Sequence, residues 1–174
     1  MRKILFFSVV FSLFVILGVA TAEEMAMEGT SASTHGYSGT VHAFVPMADK
    51  GSFITLWEMM GAITEDDGEG PFHNLSSRGI GITVFEKGTG SSKGYYAMTA
   101  PDGDKIFMEF EAINLSLKPG IKKGTLRIIG GSGKFAGMEG TGESSFYNLR
   151  PAKEGTFQGI DHATLNWKLP AKKK

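Results

Sequence analysis

The feature that most constrains the fold is a set of short runs in which every second residue is apolar. The clearest run covers 105–112, where one face carries Ile106, Met108, Phe110 and Ala112. A period of two indicates a β-strand whose two faces meet different surroundings. The chain after residue 22 offers no convincing helical period, so we expect an all-β protein.

Turn-forming residues separate these runs. Pro101-Asp102-Gly103-Asp104 combines a proline that fixes φ with a glycine that accepts a positive φ, which predicts a hairpin. The predicted strands cover 39–45, 52–60, 80–86, 94–100, 105–112, 125–128, 142–149, 155–160 and 162–169. From about eight strands joined by hairpins we predict a single antiparallel eight-stranded up-and-down β-barrel of calycin-like type, a closed sheet without exposed edges.

The first 22 residues have the pattern of a secretory signal. Arg2 and Lys3 precede an apolar run at 4–19, and Ala20-Thr21-Ala22 supplies small residues for cleavage. A retained membrane anchor is the alternative. We therefore expect a signal helix over 1–22, an exported protein, periplasmic or secreted, a flexible leader over 23–36, a barrel domain over 37–170 and a basic tail over 171–174.

Composition excludes several classes of function. The chain has no cysteine, which rules out disulfides and thiolate chemistry. Without Arg2 and Lys3, sixteen Lys and Arg stand against eighteen Asp and Glu, which gives no electrostatic case for nucleic acid. Beyond the signal no long apolar run remains, so we expect no membrane association after cleavage.

The glycine-rich segment 124–142 invites comparison with phosphate-binding loops. A Walker A loop requires Gly-Lys followed by Ser or Thr, but Gly133-Lys134 is followed by Phe135. The first glycine of that motif is also missing, because Ile128 stands in its place. A tight turn between barrel strands is therefore the better interpretation of these glycines.

Three short motifs together resemble a known family. They are Gly94-Tyr95-Tyr96, Asp102-Gly103-Asp104-Lys105, and Gly124-Thr125-Leu126 running into 130–137 with the sequence GGSGKFAG. They look like the bacterial members of the allene oxide cyclase and dirigent barrel superfamily. The resemblance implies an eight-stranded barrel, in which the plant proteins bind apolar or aromatic small molecules and direct ring closure or radical coupling. It transfers no catalytic residue to this chain.

An eight-stranded barrel either fills with its own side chains or holds one small ligand, and the sequence leaves both outcomes open. If a cavity exists, we expect a small apolar or aromatic ligand. The residues expected to contact that ligand are Trp57, Tyr96, Met98, Met108 and Phe110.

Glu58 is the first candidate for acid or base chemistry. It shares one face of the predicted strand with Ile54 and Leu56, and burial of that face would raise the pKa of Glu58. A register break that exposes it is the alternative. The longest predicted loop, 61–79, is placed over one end of the sheet. No cofactor and no metal are predicted, because the acidic residues of that loop lack the spacing of a known metal site.

Three functions remain open at this level. The first is a non-enzymatic barrel that binds a small molecule, and the second is a cyclase-like isomerase or coupling-directing enzyme. The third is a structural or interaction protein, for which Phe44, Phe107 and Ile129 would form an outer apolar patch and self-association is possible.

Overall fold

The computed structural model describes residues 26–171. Eight strands follow one another: β1 (Glu28–Pro46), β2 (Phe53–Glu65), β3 (Leu75–Glu86), β4 (Thr89–Thr99), β5 (Lys105–Ser116), β6 (Lys122–Gly131), β7 (Glu139–Leu149) and β8 (Thr156–Lys168). One 3-10 turn, Gly133–Phe135, precedes β7. The predicted signal at 1–22 lies outside the described residues, as do 172–174 of the predicted tail.

Each strand pairs antiparallel with the next, and β8 pairs with β1 to close the sheet. The closing pair is long, running from Glu28 opposite Lys168 to Thr40 opposite Thr156. The predicted eight-stranded antiparallel up-and-down barrel is therefore confirmed. Within the described residues, no helix has the length and apolar content needed to cross a membrane.

The predicted flexible leader is wrong from Glu28 onward, because this segment forms the first half of β1. Its inward positions are Ser31, Ser33 and His35, and all three are buried. Pattern analysis found no strand here because the inward face is polar, so the alternation contains no apolar period. Hydrogen bonding to two neighbouring strands defines this strand instead.

The predicted loop 61–79 is also wrong in its extent. The second strand continues to Glu65 and β3 begins at Leu75, which leaves a connection of only 66–74. Gly61 and Gly79 lie in paired strands, where their missing side chains leave room for the rings of His35 and Tyr96. Glycine was interpreted as a turn signal where it serves close packing.

The two last predicted strands, 155–160 and 162–169, form the single strand β8. Asp161 interrupts the apolar alternation at the point where the break was predicted. It nevertheless keeps its place in the ladder, opposite His35 of β1 and Phe146 of β7. A polar residue on the inward face therefore hid the continuity of the strand.

One end of the barrel is closed by two loops. The 66–74 loop inserts Phe72 and the 132–138 loop inserts Phe135 and Met138, all three almost completely buried. The first loop is fixed by Glu65, whose Oε1 accepts hydrogen bonds from the Phe72 backbone N–H at 2.7 Å and from Ser31 Oγ at 3.1 Å. We call this end, with its loops 66–74, 100–104 and 132–138, the closed end.

The glycine-rich turn and the Asp-Gly-Asp hairpin meet at the closed end. The Lys134 backbone N–H donates to Asp104 Oδ2 at 2.8 Å, and Lys134 Nζ lies 2.7 Å from Asp102 Oδ2. Gly133 has φ of 57°, and a Cβ at this position would overlap the Asp104 carboxylate. The segment is a turn between barrel strands, as the sequence predicted, and its contacts with Asp102 and Asp104 join two hairpins of the barrel.

Candidate functional site

A cavity of about 350 Å³ lies inside the barrel. Its floor includes Phe72 of the closed end, and its lining extends in the other direction to Leu117 and Lys122. Leu117 is largely exposed to solvent, so the cavity reaches the surface at that end. We call this the open end, with its loops 47–52, 87–88, 117–121 and 150–155. The volume is in the range of small-molecule sites.

Aromatic rings form much of the cavity wall. The ring of Trp57 lies 6.3 Å from that of Tyr96 and 6.2 Å from that of Phe157, centroid to centroid. Phe110 makes edge contacts with Tyr96 at 6.2 Å and with Phe146 at 5.6 Å. These edge-on arrangements are favourable for aromatic pairs and leave ring faces available to a ligand.

All five residues that the sequence analysis expected to contact a ligand line this one cavity: Trp57, Tyr96, Met98, Met108 and Phe110. The two methionines and Phe110 reach it because β5 and β4 alternate as expected. Tyr96 and Trp57 reach it from the middle of the barrel.

Glycines in the wall make room for the Trp57 ring. A Cβ atom at Gly81 of β3 or at Gly94 of β4 would overlap that ring. The indole therefore lies along the wall instead of crossing the barrel axis, and its Nε1 donates to Thr83 Oγ1 at 3.0 Å. This packing explains how a barrel rich in aromatic residues keeps an internal space.

In β3 the apolar side chains lie on the outer face of the barrel and the glycines on the inner face. Ile80 and Ile82 share one face of this strand, and both are exposed on the outside of the barrel. Phe44, Phe107 and Ile129 are also exposed, which is the outward orientation that the sequence analysis gave them. The inward face of this part of β3 is formed by Gly79, Gly81 and Thr83, so apolar content does not identify the inner surface here.

Asp161 is the principal polar group of the cavity. Burial raises the pKa of its carboxyl group to about 6. Its Oδ1 is buried, as is Ser144 Oγ, and neither atom forms a hydrogen bond of good geometry within the described part of the chain. The Ser144 hydroxyl is nevertheless close enough to lower the pKa of Asp161 against the effect of burial, so it competes with any ligand as the donor to this carboxyl group.

Two tyrosines share the cavity with Asp161. Burial and the nearby Asp161 carboxylate both raise the pKa of Tyr37, and the same two causes raise that of Tyr96. The Tyr37 hydroxyl donates to Asn148 Oδ1 at 2.9 Å. Both tyrosines therefore keep their protons at neutral pH and can act as hydrogen-bond donors.

His35 lies deeper, next to the closed end. Its Nε2 is 2.7 Å from Ser77 Oγ, and its ring centroid is 5.6 Å from that of Tyr37. Burial lowers the pKa of His35 to about 4, so the imidazole is neutral at pH 7. The cavity thus contains one carboxyl group that titrates near neutral pH, beside the neutral side chains of His35, Tyr37 and Tyr96, and one cationic side chain, Lys122, toward the open end.

Glu58 does not belong to this site. Glu58 lies between Trp57 and Met59 in β2, and both of these neighbours face inward. The side chain of Glu58 therefore lies on the outer wall, and the alternation of β2 is not interrupted. Its carboxylate is 2.6 Å from Arg78 Nε and 3.0 Å from His42 Nε2. Hydrogen bonds from Arg78, and then from His42, lower its pKa. Glu58 therefore lacks the inward position and the raised pKa on which the acid or base hypothesis rested.

Sequence reasoning missed Asp161, Tyr37 and Asn148. The available signal was the inward position of Asp161, two residues before Ala163 in the alternation of β8. It was obscured because the acid was interpreted as a strand break. Among the described residues, no group of three or more His, Asp or Glu side chains could hold a metal ion.

Taken together, the fold and the site define a closed eight-stranded barrel with an aromatic-lined cavity and one carboxyl group, Asp161, in its lining. No family model matches the sequence, and no curated protein matches it significantly. Among solved structures, it is similar to that of the pterocarpan synthase dirigent protein GePTS1. That similarity has a TM-score of 0.47 at 13% identity and covers 87% of this chain and 91% of the other.

Proposed function

We propose that this protein binds one small, largely apolar molecule with aromatic or unsaturated character inside the barrel. The observation that carries the proposal is the cavity of about 350 Å³, whose wall is aromatic and whose one buried carboxyl group has an unpartnered oxygen. Aromatic faces favour flat, unsaturated ligands, and a few placed polar groups orient them.

The polar groups further define the ligand. Asp161 with its raised pKa accepts a hydrogen bond when ionised and donates one when protonated, and Tyr96 can donate, whereas the Tyr37 hydroxyl already donates to Asn148 Oδ1. A ligand hydroxyl on an apolar skeleton would donate to the ionised Asp161, and a ligand carbonyl would accept from the protonated one. A ligand with a buried anionic group would be repelled by the same carboxylate.

Trp57 provides a direct test, since it lines the cavity, whereas Trp167 is buried in the core and does not line it. The probe is N-phenyl-naphthylamine, a neutral aromatic fluorophore. We expect saturable binding of the probe, with an affinity that is retained in Trp167→Phe and weakened in Trp57→Phe. Equal affinity in both variants, or no saturable binding, would overturn the proposal.

Native mass spectrometry of the protein from its own host then identifies the natural ligand. We expect a co-purifying species with a hydroxyl or carbonyl group, released on denaturation. The mass of the intact chain in the same experiment tests export, since removal of a signal would leave a chain that begins after Ala22.

A second candidate function is a cyclase-like or coupling-directing reaction on that ligand. Asp161 favours it specifically, because a carboxyl group with a pKa of about 6 can give or take a proton near neutral pH. The Tyr96 hydroxyl could donate to a developing oxyanion, and the aromatic wall could fix the conformation of the ligand.

The test of this second function separates binding from turnover. The co-purified molecule, or its precursor, is incubated with the wild type, with Asp161→Asn and with Glu58→Gln as a control on the outer wall. We expect Asp161→Asn to keep binding but to lose conversion by about 100-fold or more, the usual effect of removing a general acid or base. Conversion at the wild-type rate by Asp161→Asn would exclude this mechanism.

A further inference from the structure

We propose that the open end of the barrel docks on the surface of a bilayer that contains anionic lipids, with the cavity mouth facing the lipid. The proposal concerns an interaction surface and goes beyond ligand binding in the cavity. It departs from the expectation of no membrane association, which considered only segments able to span a bilayer. Peripheral docking requires no such segment.

The first observation is the distribution of charge between the two ends. The open-end loops carry five basic residues, Lys50, Lys87, Lys118, Arg150 and Lys153, against two acidic ones, Asp49 and Glu154. Lys122 and Lys123 follow at the start of β6, and Glu86 ends β3. The closed-end loops carry five acidic residues, Asp66, Asp67, Glu69, Asp102 and Asp104, and one basic one, Lys134.

The formal charge of the whole chain is close to zero, so this difference is a matter of position. An anionic surface attracts the open end and repels the closed end, which would orient the barrel with its mouth toward the surface. Most of the basic side chains are free to meet phosphate groups. Lys87 is 3.9 Å from Asp49 in a weak, exposed ion pair.

The second observation is the apolar content of the same end. Six large apolar side chains are exposed around the rim: Phe44, Val45, Ile113, Leu117, Ile121 and Leu149. Ile121 is 73% exposed and lies with Leu117 in the β5–β6 loop, next to the basic residues. Apolar side chains that project among lysines match an interface where acyl chains lie behind anionic head groups.

The third observation is the continuity between this rim and the cavity. The exposed ring of Phe44 stacks on Phe53 at 5.1 Å, and Phe53 stacks on Phe85 at 5.0 Å, with Phe53 and Phe85 both lining the cavity. Leu117 belongs to the exposed rim and to the cavity lining at once. An apolar molecule could therefore pass between bilayer and cavity along apolar side chains.

A bilayer fits these observations better than other anionic partners. Nucleic acid offers phosphates but no surface for aliphatic side chains such as Leu117 and Ile121. A lipid interface can accept both the basic side chains and the exposed apolar side chains of the open end. It also explains why the cavity mouth is surrounded by these two kinds of residue.

The test is vesicle co-sedimentation of the mature protein. We expect binding to mixed phosphatidylcholine and phosphatidylglycerol vesicles, weakened by salt, and little binding to phosphatidylcholine alone. Lys118→Glu with Lys123→Glu should weaken binding by at least about 30-fold, the effect of losing two lysines alone, because each glutamate also repels the anionic surface. Lys105→Glu with Lys168→Glu changes the net charge equally at the closed end and should have little effect.

The apolar contribution has its own matched pair. Leu117→Ser with Ile121→Ser should weaken vesicle binding about tenfold, whereas Ile80→Ser with Ile82→Ser on the outer wall should not. Equal loss in both members of either pair would overturn the proposal, as would equal binding to neutral and anionic vesicles. A self-associated form that dissociates on Leu117→Ser with Ile121→Ser, without vesicle binding, would assign the surface to a second copy instead.

This test is independent of the cavity. Lys118 and Lys123 do not line it, so the charge variant should bind N-phenyl-naphthylamine like the wild type. Loss of vesicle binding with intact probe binding supports docking. Vesicle binding without any probe binding would refute the proposed cavity function and leave docking in place.

Discussion

The closed and open ends of the barrel are built from the same kind of connection, a short segment between antiparallel strands. They differ in the burial of their apolar side chains and in the sign of their charge. Closed-end loops bury Phe72 and Phe135 and are tied together through Asp104 and Lys134. Open-end loops expose Leu117 and Ile121. The comparison shows how one barrel divides its two ends between stability and access.

The two ends differ because loop side chains fill the interior at one end of the closed sheet and leave it unfilled at the other. A closed barrel has no edge to protect, so each end must be either covered or left open. Two aromatic plugs and a buried carboxylate, Glu65, cover one end, and burial raises the pKa of Glu65. The space left in the other half is the cavity. Predictions that alter one end and leave the other intact test this division.

The largest expected effect is at the closed end. Phe135→Ala removes an almost fully buried ring and should lower the free energy of unfolding by about 3–5 kcal/mol. Ile121→Ala at the open end removes an exposed side chain and should change it by less than about 0.5 kcal/mol. Urea denaturation measures both, and similar losses for the two variants would contradict the division of roles.

Asp161→Asn tests the hollow half. The carboxyl pKa is raised to about 6 in the folded state, above the usual unfolded value, so the folded state holds the proton longer. Stability from this group is therefore present at low pH and is lost as pH rises through about 6. At pH 7 the substitution should stabilise the fold by about 1–3 kcal/mol.

His35 changes the stability with pH in the opposite direction from Asp161, so the two contributions can be separated. Its pKa is lowered to about 4, so the unfolded state binds the proton more readily and stability falls as pH drops below the unfolded pKa of about 6.5. In Asp161→Asn the His35 trend is no longer opposed by Asp161, so the free energy of unfolding should rise more steeply than in the wild type between about pH 4 and 6.5. A profile parallel to the wild type would show that Asp161 is not perturbed.

Gly81→Ala tests the packing that keeps the cavity open. The added Cβ would overlap the Trp57 ring and the backbone carbonyl oxygen of Lys93, so both the ring and the pairing of β3 with β4 must shift, with a loss of about 1–3 kcal/mol and weaker probe binding. Gly36→Ala is the matched control, because a Cβ there meets no atom within 4 Å. Denaturation and probe titration should change for Gly81→Ala alone.

The smallest effect concerns the ion pair between the closed-end loops. Lys134→Met removes an exposed pair with Asp102 and should lower the free energy of unfolding by about 0.2–1 kcal/mol. Lys118→Met at the open end should change it less. A large loss for Lys134→Met would mean that the pair holds the loops more strongly than an exposed interaction normally does.

Several elements could be predicted because local chemistry fixes them. The alternation of 105–112 placed Met108 and Phe110 on one face. The turn at 101–104 could be predicted from its proline and glycine alone, without knowledge of where the hairpin lies in the fold. The glycine-rich segment was interpreted as a turn because Phe135 stands where phosphate chemistry needs a hydroxyl. In each case a few consecutive residues contain the whole argument.

Other elements depended on contacts that no local pattern contains. The polar inward face of β1 is a strand because β2 and β8 pair with it. Glu58 faces outward because its neighbours Trp57 and Met59 face inward, where the Trp57 ring fills the space that Gly81 of β3 and Gly94 of β4 provide. Asp161 became a candidate only when the barrel placed it beside Tyr37 and Tyr96.

The sequence by itself determined the class of fold, an antiparallel barrel of about eight strands, and most of the aromatic residues of its interior. The reason is that side-chain alternation and turn chemistry are properties of neighbouring residues. Only the tertiary structure decided that the barrel is hollow at one end and closed at the other, and that Asp161 faces the space. Those properties depend on how distant residues share volume and charge, which pairing across the closed sheet establishes.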